Sequence, residues 1–263
     1  MSILDKIIKV KEEEVEKLKK TYSKNSFSEM ELFNIPTISF MNSLKKDKRI
    51  SIIAEIKQAS PSKGIINNNF NAASIAGCYF NNGVDAVSVL TDKQFFKGDI
   101  QYLSQLSNFK KAPLLRKDFI IDEIQILESK AFGADMILLI CESLTKSQIK
   151  DLTDTAHELG MEVLLELHTV DQIEKIDFSH NRLIGINNRN LNDFSTSLSV
   201  TKNISEILPV DIFIVSESGI HSKADITFLK QTGIDAVLVG EFLMAGNTAL
   251  KISELKKWCA GEN

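Results

Sequence analysis

The chain has little that would fix it in a membrane, on a nucleic acid or in an oxidising compartment. Its three cysteines, Cys78, Cys141 and Cys259, are widely spaced and odd in number, so they suggest neither a CxxC pair nor a disulfide framework. A reducing, cytoplasmic setting is the simplest expectation. No apolar run approaches the ~20 residues that span a bilayer, and the opening MSILDKIIKVKEEEVEKLKK lacks the apolar core of a signal peptide. A soluble protein without a membrane partner is expected. Basic residues number 31 against 35 acidic ones, a net charge of −4, which argues against a nucleic-acid partner. The histidines, His157, His168, His180 and His221, are scattered and show no HxxxH spacing, so no metal site is expected. His168 reads as a rim residue beside Glu166. There is no GxGxxG and no P-loop, and no Ser-His-Asp or Cys-His set can be argued from spacing.

What is present is a large apolar share, 43% of 263 residues, arranged in one recurring pattern. From residue 51 onward a short β-rich run is followed by a polar turn and then a helical pattern. The runs are 51–57, 86–91, 113–119, 136–140, 162–167, 183–188, 213–218 and 236–240. Near-continuous Val/Ile/Leu runs suit parallel strands covered on both sides, and eight such units make an α/β fold, a (β/α)8 TIM barrel. Asp122, Thr145 and Ser222 are expected to cap helices that stop at Gly133, Gly160 and Gly233. A Gly-x-acid step leads into four of the runs, at Gly83–Asp85, Gly133–Asp135, Gly160–Glu162 and Gly233–Asp235. Residues 1–50 form an N-terminal helical extension, with Leu4, Ile7, Ile8, Val15 and Leu18 as an apolar stripe. A second helix is expected near Ser39, carrying Phe40, Met41 and Leu44. The extension is expected to cover one end of the barrel, and residues 1–263 to form a single domain.

The polar residues that need a reason stand at the C-terminal ends of the runs. Glu55 and Lys57 leave an apolar strand on the same face, two residues apart, and burying charge is costly unless it is paired. Lys117 ends the third run and Glu166 the fifth. Asn187 and Arg189 follow the sixth, and Glu217 and Ser218 end the seventh. In a closed barrel these ends meet at one mouth, where barrel enzymes carry their active sites. A structural ion-pair network at the rim is the alternative. Ser218-Gly219 and Gly240-Glu241 put small residues and backbone N–H groups after the last two strands, a common place for phosphate. The Glu241 carboxylate is expected to turn away while its N–H faces the ligand. Ser60 and Ser62, in a Ser-Pro-Ser turn, add hydroxyl donors. Phe96 and Phe119 are either core or a flat slot for a ring. A phosphorylated small molecule is the expected partner.

These segments, IAEIKQASPSKG, SVLTDKQFFKG, LLRKDFIIDEIQI, LLELHT, IGINNRNL, VSESGI and AVLVGEFLM, resemble the indole-3-glycerol phosphate synthase family of tryptophan biosynthesis, in order and over nearly the whole chain. The resemblance implies a lyase that needs no metal and no cofactor. It implies ring closure, decarboxylation and dehydration of 1-(2-carboxyphenylamino)-1-deoxyribulose 5-phosphate. By resemblance Lys117 is the general acid of ring closure and Glu166 the general base of dehydration. Lys57 binds the substrate carboxylate or serves as a second acid, and Glu55 orients it. Asn187, Arg189, Glu217 and Ser218 complete the polar wall, and Ser60, Gly219, Gly240 and Glu241 hold phosphate. The rivals are other phosphate-binding barrels, such as phosphoribosylanthranilate isomerase or the tryptophan synthase α-subunit, and a non-catalytic sugar-phosphate binder. The sequence leaves oligomeric state and association with other enzymes of the same biosynthesis open, a monomer being the default.

Overall fold

The computed structural model describes residues 2–44, 49–60, 64–65, 70–191 and 193–261. Ser62 lies outside the described residues. The expected runs form β1 (Ser51–Ile56), β2 (Ala86–Leu90), β3 (Leu114–Lys117), β4 (Met136–Ile140), β5 (Glu162–Leu167), β6 (Leu183–Asn187), β7 (Phe213–Glu217) and β8 (Ala236–Val239). Each strand pairs in parallel with the next, and β8 closes on β1 with Ser51 opposite Ala236, giving a closed barrel. A short ladder joins Ala59–Ser60 to Gly64–Ile65 beyond β1.

The helices are α1 (Ile3–Thr21), α2 (Lys24–Ser28) and α3 (Met41–Leu44) in the extension, then α4 (Ala72–Asn81), α5 (Lys93–Phe96), α6 (Gln101–Ser107), α7 (Glu123–Ala131), α8 (Lys146–Glu158), α9 (Ser199–Ser205), α10 (Lys223–Lys230), α11 (Glu241–Met244) and α12 (Thr248–Ala260). Asp122, Thr145 and Ser222 close capping boxes at α7, α8 and α10, as their sequence positions predict. The crossover after β5 differs from the expected pattern: it carries only a 3-10 helix, Val170–Lys175.

Strand periodicity sorts the barrel interior into layers. Side chains two apart share a face, and a barrel stacks layers of four taken from alternate strands. From the even strands, Ala86, Met136, Leu183 and Ala236 belong to the inner apolar cluster, as do Ile53, Leu115, Leu164 and Val215 from the odd strands. Two residues further along the odd strands stand Glu55, Lys117, Glu166 and Glu217. The outward residues, such as Ile52, Val87, Ile137 and Val237, pack in a separate cluster with the surrounding helices.

The Gly-x-acid steps have a mechanical use at the opposite end. A strand that starts a barrel leaves an N–H without a ladder partner, and a buried unpaired donor is costly. Asp85 accepts the N–H of Ile52, Asp135 that of Leu114 and Asp235 that of Ile214, each at 2.8 Å. Each acid precedes an even strand and serves the odd strand before it. Glu162 turns to the extension and accepts from the Ser39 hydroxyl and, at 2.9 Å, from the Phe40 N–H. Phe40 is fully buried in the inner cluster, with Leu44 beside it.

The extension therefore does more than cover one end. Residues 38–44 plug the N-terminal end of the barrel, while Ile3, Leu4 and Ile7 of α1 line a cavity at the opposite mouth. It reaches both because α1 runs beside α7 and returns through α2.

Asp135 also accepts from the Ile38 N–H at 2.8 Å and pairs with the mostly buried Lys110 at 2.7 Å. Truncating it leaves two N–H groups without a partner and the Lys110 ammonium with only the Gly133 carbonyl. Asp135→Ala is expected to lose about 3–5 kcal/mol of stability, read as a lower urea midpoint; an unchanged midpoint would refute the role of this carboxylate.

Candidate active site

Every candidate residue that the sequence proposes, apart from Ser62, which lies outside the described residues, lines one cavity at the C-terminal ends of the strands. The charged layer forms its floor. The Lys117 Nζ donates to Glu166 Oε2 at 2.6 Å and to Glu217 Oε2 at 2.9 Å. Lys57 lies 2.7 Å from Glu55 Oε1, so the two charges that leave β1 on one face pair with each other. The carboxylates of Glu55, Glu166 and Glu217 are at most 7% exposed.

Burial by itself would drive Lys117 toward the neutral amine. The charges of Glu166, Glu217 and Glu55 outweigh it and raise its pKa above the usual lysine value. Glu166 and Glu217 share this ammonium and titrate as a pair. Burial raises both, but Lys117, His168 and a hydrogen bond with Asn187 hold Glu166 well below the ordinary carboxylate range. Glu217 shifts the other way, because burial and the charge of Glu166 exceed the help it receives from Lys117. Its Oε1 has no hydrogen-bond partner. At neutral pH the site thus presents a charged acid, an ionised base and a third carboxyl that readily keeps its proton.

Two glycines make room for these carboxyls. A Cβ on Gly185 of β6 would sit 2.3 Å from Glu217 Oε1, and one on Gly240 would sit 2.6 Å from Glu55 Oε1. Gly240 therefore has a packing reason besides the expected ligand role.

β7 leaves the barrel through two successive left-handed residues, Ser218 at φ 66° and Gly219 at φ 78°. A serine there is strained. Asn188 holds the turn: its Nδ2 donates to the carbonyls of Glu217 and Ser218, and its Oδ1 accepts from Thr201. The Glu241 carboxylate accepts from Arg189 at 2.9 Å, and both residues line the cavity. Ser60 lies at the same mouth. The rings of Phe96 and Phe119 stand 6.1 Å apart at 35°; both residues line the cavity, and Phe119 also packs against the inner apolar cluster.

The family model described as indole-3-glycerol phosphate synthase matches residues 4–255. The chain belongs to the indole-3-glycerol phosphate synthase family. It is 43% identical over 246 residues to the indole-3-glycerol phosphate synthase of Campylobacter curvus, across 92% of this chain and 94% of that one. Its identity to the indole-3-glycerol phosphate synthase of Alkaliphilus metalliredigens is 44% over 255 residues, across 97% and 98% of the two chains. Among solved structures, 3-hexulose-6-phosphate synthase from Salmonella typhimurium is similar at TM-score 0.66 and 12% identity, over 81% of this chain and all of that one. That likeness shows the barrel alone.

Sequence reasoning missed part of this family member's site. Leu191 and Phe194, after β6, line the cavity without any periodic signal. Ile3, Leu4 and Ile7 carry a signal, the amphipathic stripe, but it reads as packing. Lys11, on the same helix, is buried at 2% exposure and joins Asp92 at 2.8 Å and Asp118 at 2.9 Å. Asp92 caps the turn that carries Phe96, accepting from the N–H groups of Phe95 and Phe96. Asp118 stands between Lys117 and Phe119 and also pairs with Arg116. One ammonium thus ties α1 to both aromatic loops. Burial opposes its charge, but Asp118 and Asp92 raise its pKa.

Lys11→Met is expected to loosen the wall made by α1 and the slot, raising KM by about tenfold, the effect of ~1.4 kcal/mol of lost binding, while kcat changes less. Lys11→Arg should restore part of it. Steady-state kinetics on both variants decide; an unchanged KM in Lys11→Met overturns the coupling.

Proposed function

We infer that this chain is an indole-3-glycerol phosphate synthase, a carboxy-lyase of tryptophan biosynthesis. It acts on 1-(2-carboxyphenylamino)-1-deoxyribulose 5-phosphate. The observation that carries the mechanism is Lys117 held charged at 2.6 Å from an ionised Glu166, beneath an aromatic slot.

The Phe96–Phe119 slot takes the anthranilate ring, and Lys57, set by Glu55, takes its carboxylate. Ser60, Gly219, Gly240 and Glu241 surround the phosphate at the far side, with Arg189. The ring carbon that bears the carboxylate attacks the ribulose carbonyl, and Lys117 gives a proton to the oxygen as it becomes a hydroxyl. Carbon dioxide then leaves, and the electrons of the broken bond restore the aromatic ring. The hydroxyl leaves as water with a proton from an acid, while Glu166 takes the proton that the ring loses. Asn187, Glu217 and Ser218 complete the polar wall and keep Lys117 and Glu166 in these states. The extension and the eight units work as one domain. The unpaired cysteines fit a cytoplasmic enzyme.

Supplying the substrate and following indole fluorescence tests the activity. Lys117→Ala should lower turnover by about a hundredfold or more, and normal turnover in the folded variant would sink its assignment. Glu166→Gln should release carbon dioxide ahead of indole, because it fails after ring closure. Indole formed at the normal rate would remove Glu166 from dehydration.

A further inference from the structure

Glu166 has a second neighbour that the reaction as written does not use. His168, just past the end of β5, lies behind it with Nε2 3.4 Å from Glu166 Oε1. On the other side, His168 Nδ1 is 3.6 Å from Glu142 Oε2 in the loop after β4. The imidazole side chain is 6% exposed, and neither ring nitrogen has a hydrogen-bond partner among the described residues. Buried polar atoms are normally satisfied, so a ring left open on both sides asks for a reason. His168 does not line the substrate cavity. Glu142, by contrast, is 37% exposed. Glu142, His168, Glu166 and Lys117 therefore form a file from solvent to the reacting centre. The His168 N–H donates to Gln172 at 2.8 Å, and Lys175, the nearby cation, is bonded to the carbonyls of Cys141 and Leu144.

Proton balance supplies the reason. Ring closure moves one proton from Lys117 to the carbonyl oxygen. Decarboxylation of the carboxylate moves none. Dehydration takes a second proton, from Glu217, the carboxyl that readily keeps one, to form water and returns one, from the ring, to Glu166. Two protons leave the enzyme and one comes back, so each turnover draws one from solvent. The returned proton passes from Glu166 to Lys117 across their direct contact. The missing one has to reach Glu217, 1% exposed, before the next turnover.

We propose that Glu142 and His168 form a proton relay that refills Glu217, through Glu166 and Lys117, once per turnover. The proposal rests on Glu166 and Lys117 acting as base and acid. Glu142 gives a proton to Nδ1, Nε2 gives one to Glu166, Glu166 passes it to Lys117, Lys117 gives one to Glu217 at 2.9 Å, and a ring flip resets the tautomer. Both gaps exceed the ~3.2 Å of a direct transfer, and catalytic contacts are commonly longer in unliganded sites than in reacting ones.

The test separates the first turnover from later ones. In Glu142→Gln and His168→Gln the acids start loaded, so rapid-quench measurement should give first-turnover indole within about twofold of wild type. The steady rate should fall about tenfold, and imidazole buffer should restore it in His168→Ala. A side chain that only props Glu166 would slow every turnover alike. Equal slowing of first and later turnovers, or wild-type steady rates in both Gln variants, overturns the relay. The Glu142 variant alters an exposed group, so a folding defect at His168 does not blunt the test. If Glu166→Gln makes indole normally, the base assignment falls and the relay with it. If Glu166→Gln stalls while Glu142→Gln and His168→Gln run as wild type, the relay alone falls.

Discussion

An ammonium held between two carboxylates in a barrel interior is a conflict between burial and charge, and much of the site is arranged around it. Removing an ion from water costs several kcal/mol. Two opposite charges about 3 Å apart attract by roughly 5–6 kcal/mol at an effective dielectric of ~20. Lys117 has two such contacts, at 2.6 and 2.9 Å, so it stays charged. The carboxylates cannot both be satisfied by one cation. The nearer, Glu166, which also has Asn187, keeps its charge, and Glu217 is left with an unpaired oxygen against Gly185. The asymmetry separates a base from a proton-holding carboxyl without any change in chemical type.

The arrangement needs rigid walls, and these come from outside the charged layer. Below it lies the buried apolar layer of Ile53, Leu115, Leu164 and Val215. Above it, the aromatic loops are secured by Lys11 through Asp92 and Asp118. The extension is thus part of the site's geometry. It is plugged at one end by Glu162 and Asp135 and pinned at the other by Lys11, so a movement of α1 is felt at Phe96 and Phe119.

The strands, their order and the polar floor were legible in the sequence for one reason: a period of two. Glu55, Lys117, Glu166 and Glu217 each stand two residues beyond an inward apolar residue, and a charge in that place on a buried strand has to be explained. Lys11 carries no such mark. It sits on an amphipathic helix rich in lysine, and its partners lie about a third of the chain away, so only the folded chain brings them together. Gly185 and Gly240 look like ordinary strand or turn glycines until a carboxyl is found against each. The Arg189–Glu241 pair carries no sequence signal, because it depends on the spacing of β6 and β8. Leu191 and Phe194 belong to a loop, where periodicity does not apply.

The likeness to 3-hexulose-6-phosphate synthase at 12% identity isolates what the barrel contributes and what it does not. A fold does not carry an activity with it. A closed barrel offers few inward positions per strand, and the deeper ones are committed to packing. Only the outermost layers are open to chemistry. Here the ionisable residues of the floor all fall on odd strands, and the next inward positions on even strands are Leu90, Ile140, Asn187 and Gly240. Alternation of strands by layer makes this unavoidable: four charged groups within reach of one another have to come from strands of the same parity. Neighbouring strands then supply uncharged side chains that separate the charges laterally and keep water from screening them. His168 is the next residue of that parity after Glu166, just past the end of β5, as Lys57 is after Glu55 and Phe119 after Lys117; those two line the cavity and His168 does not.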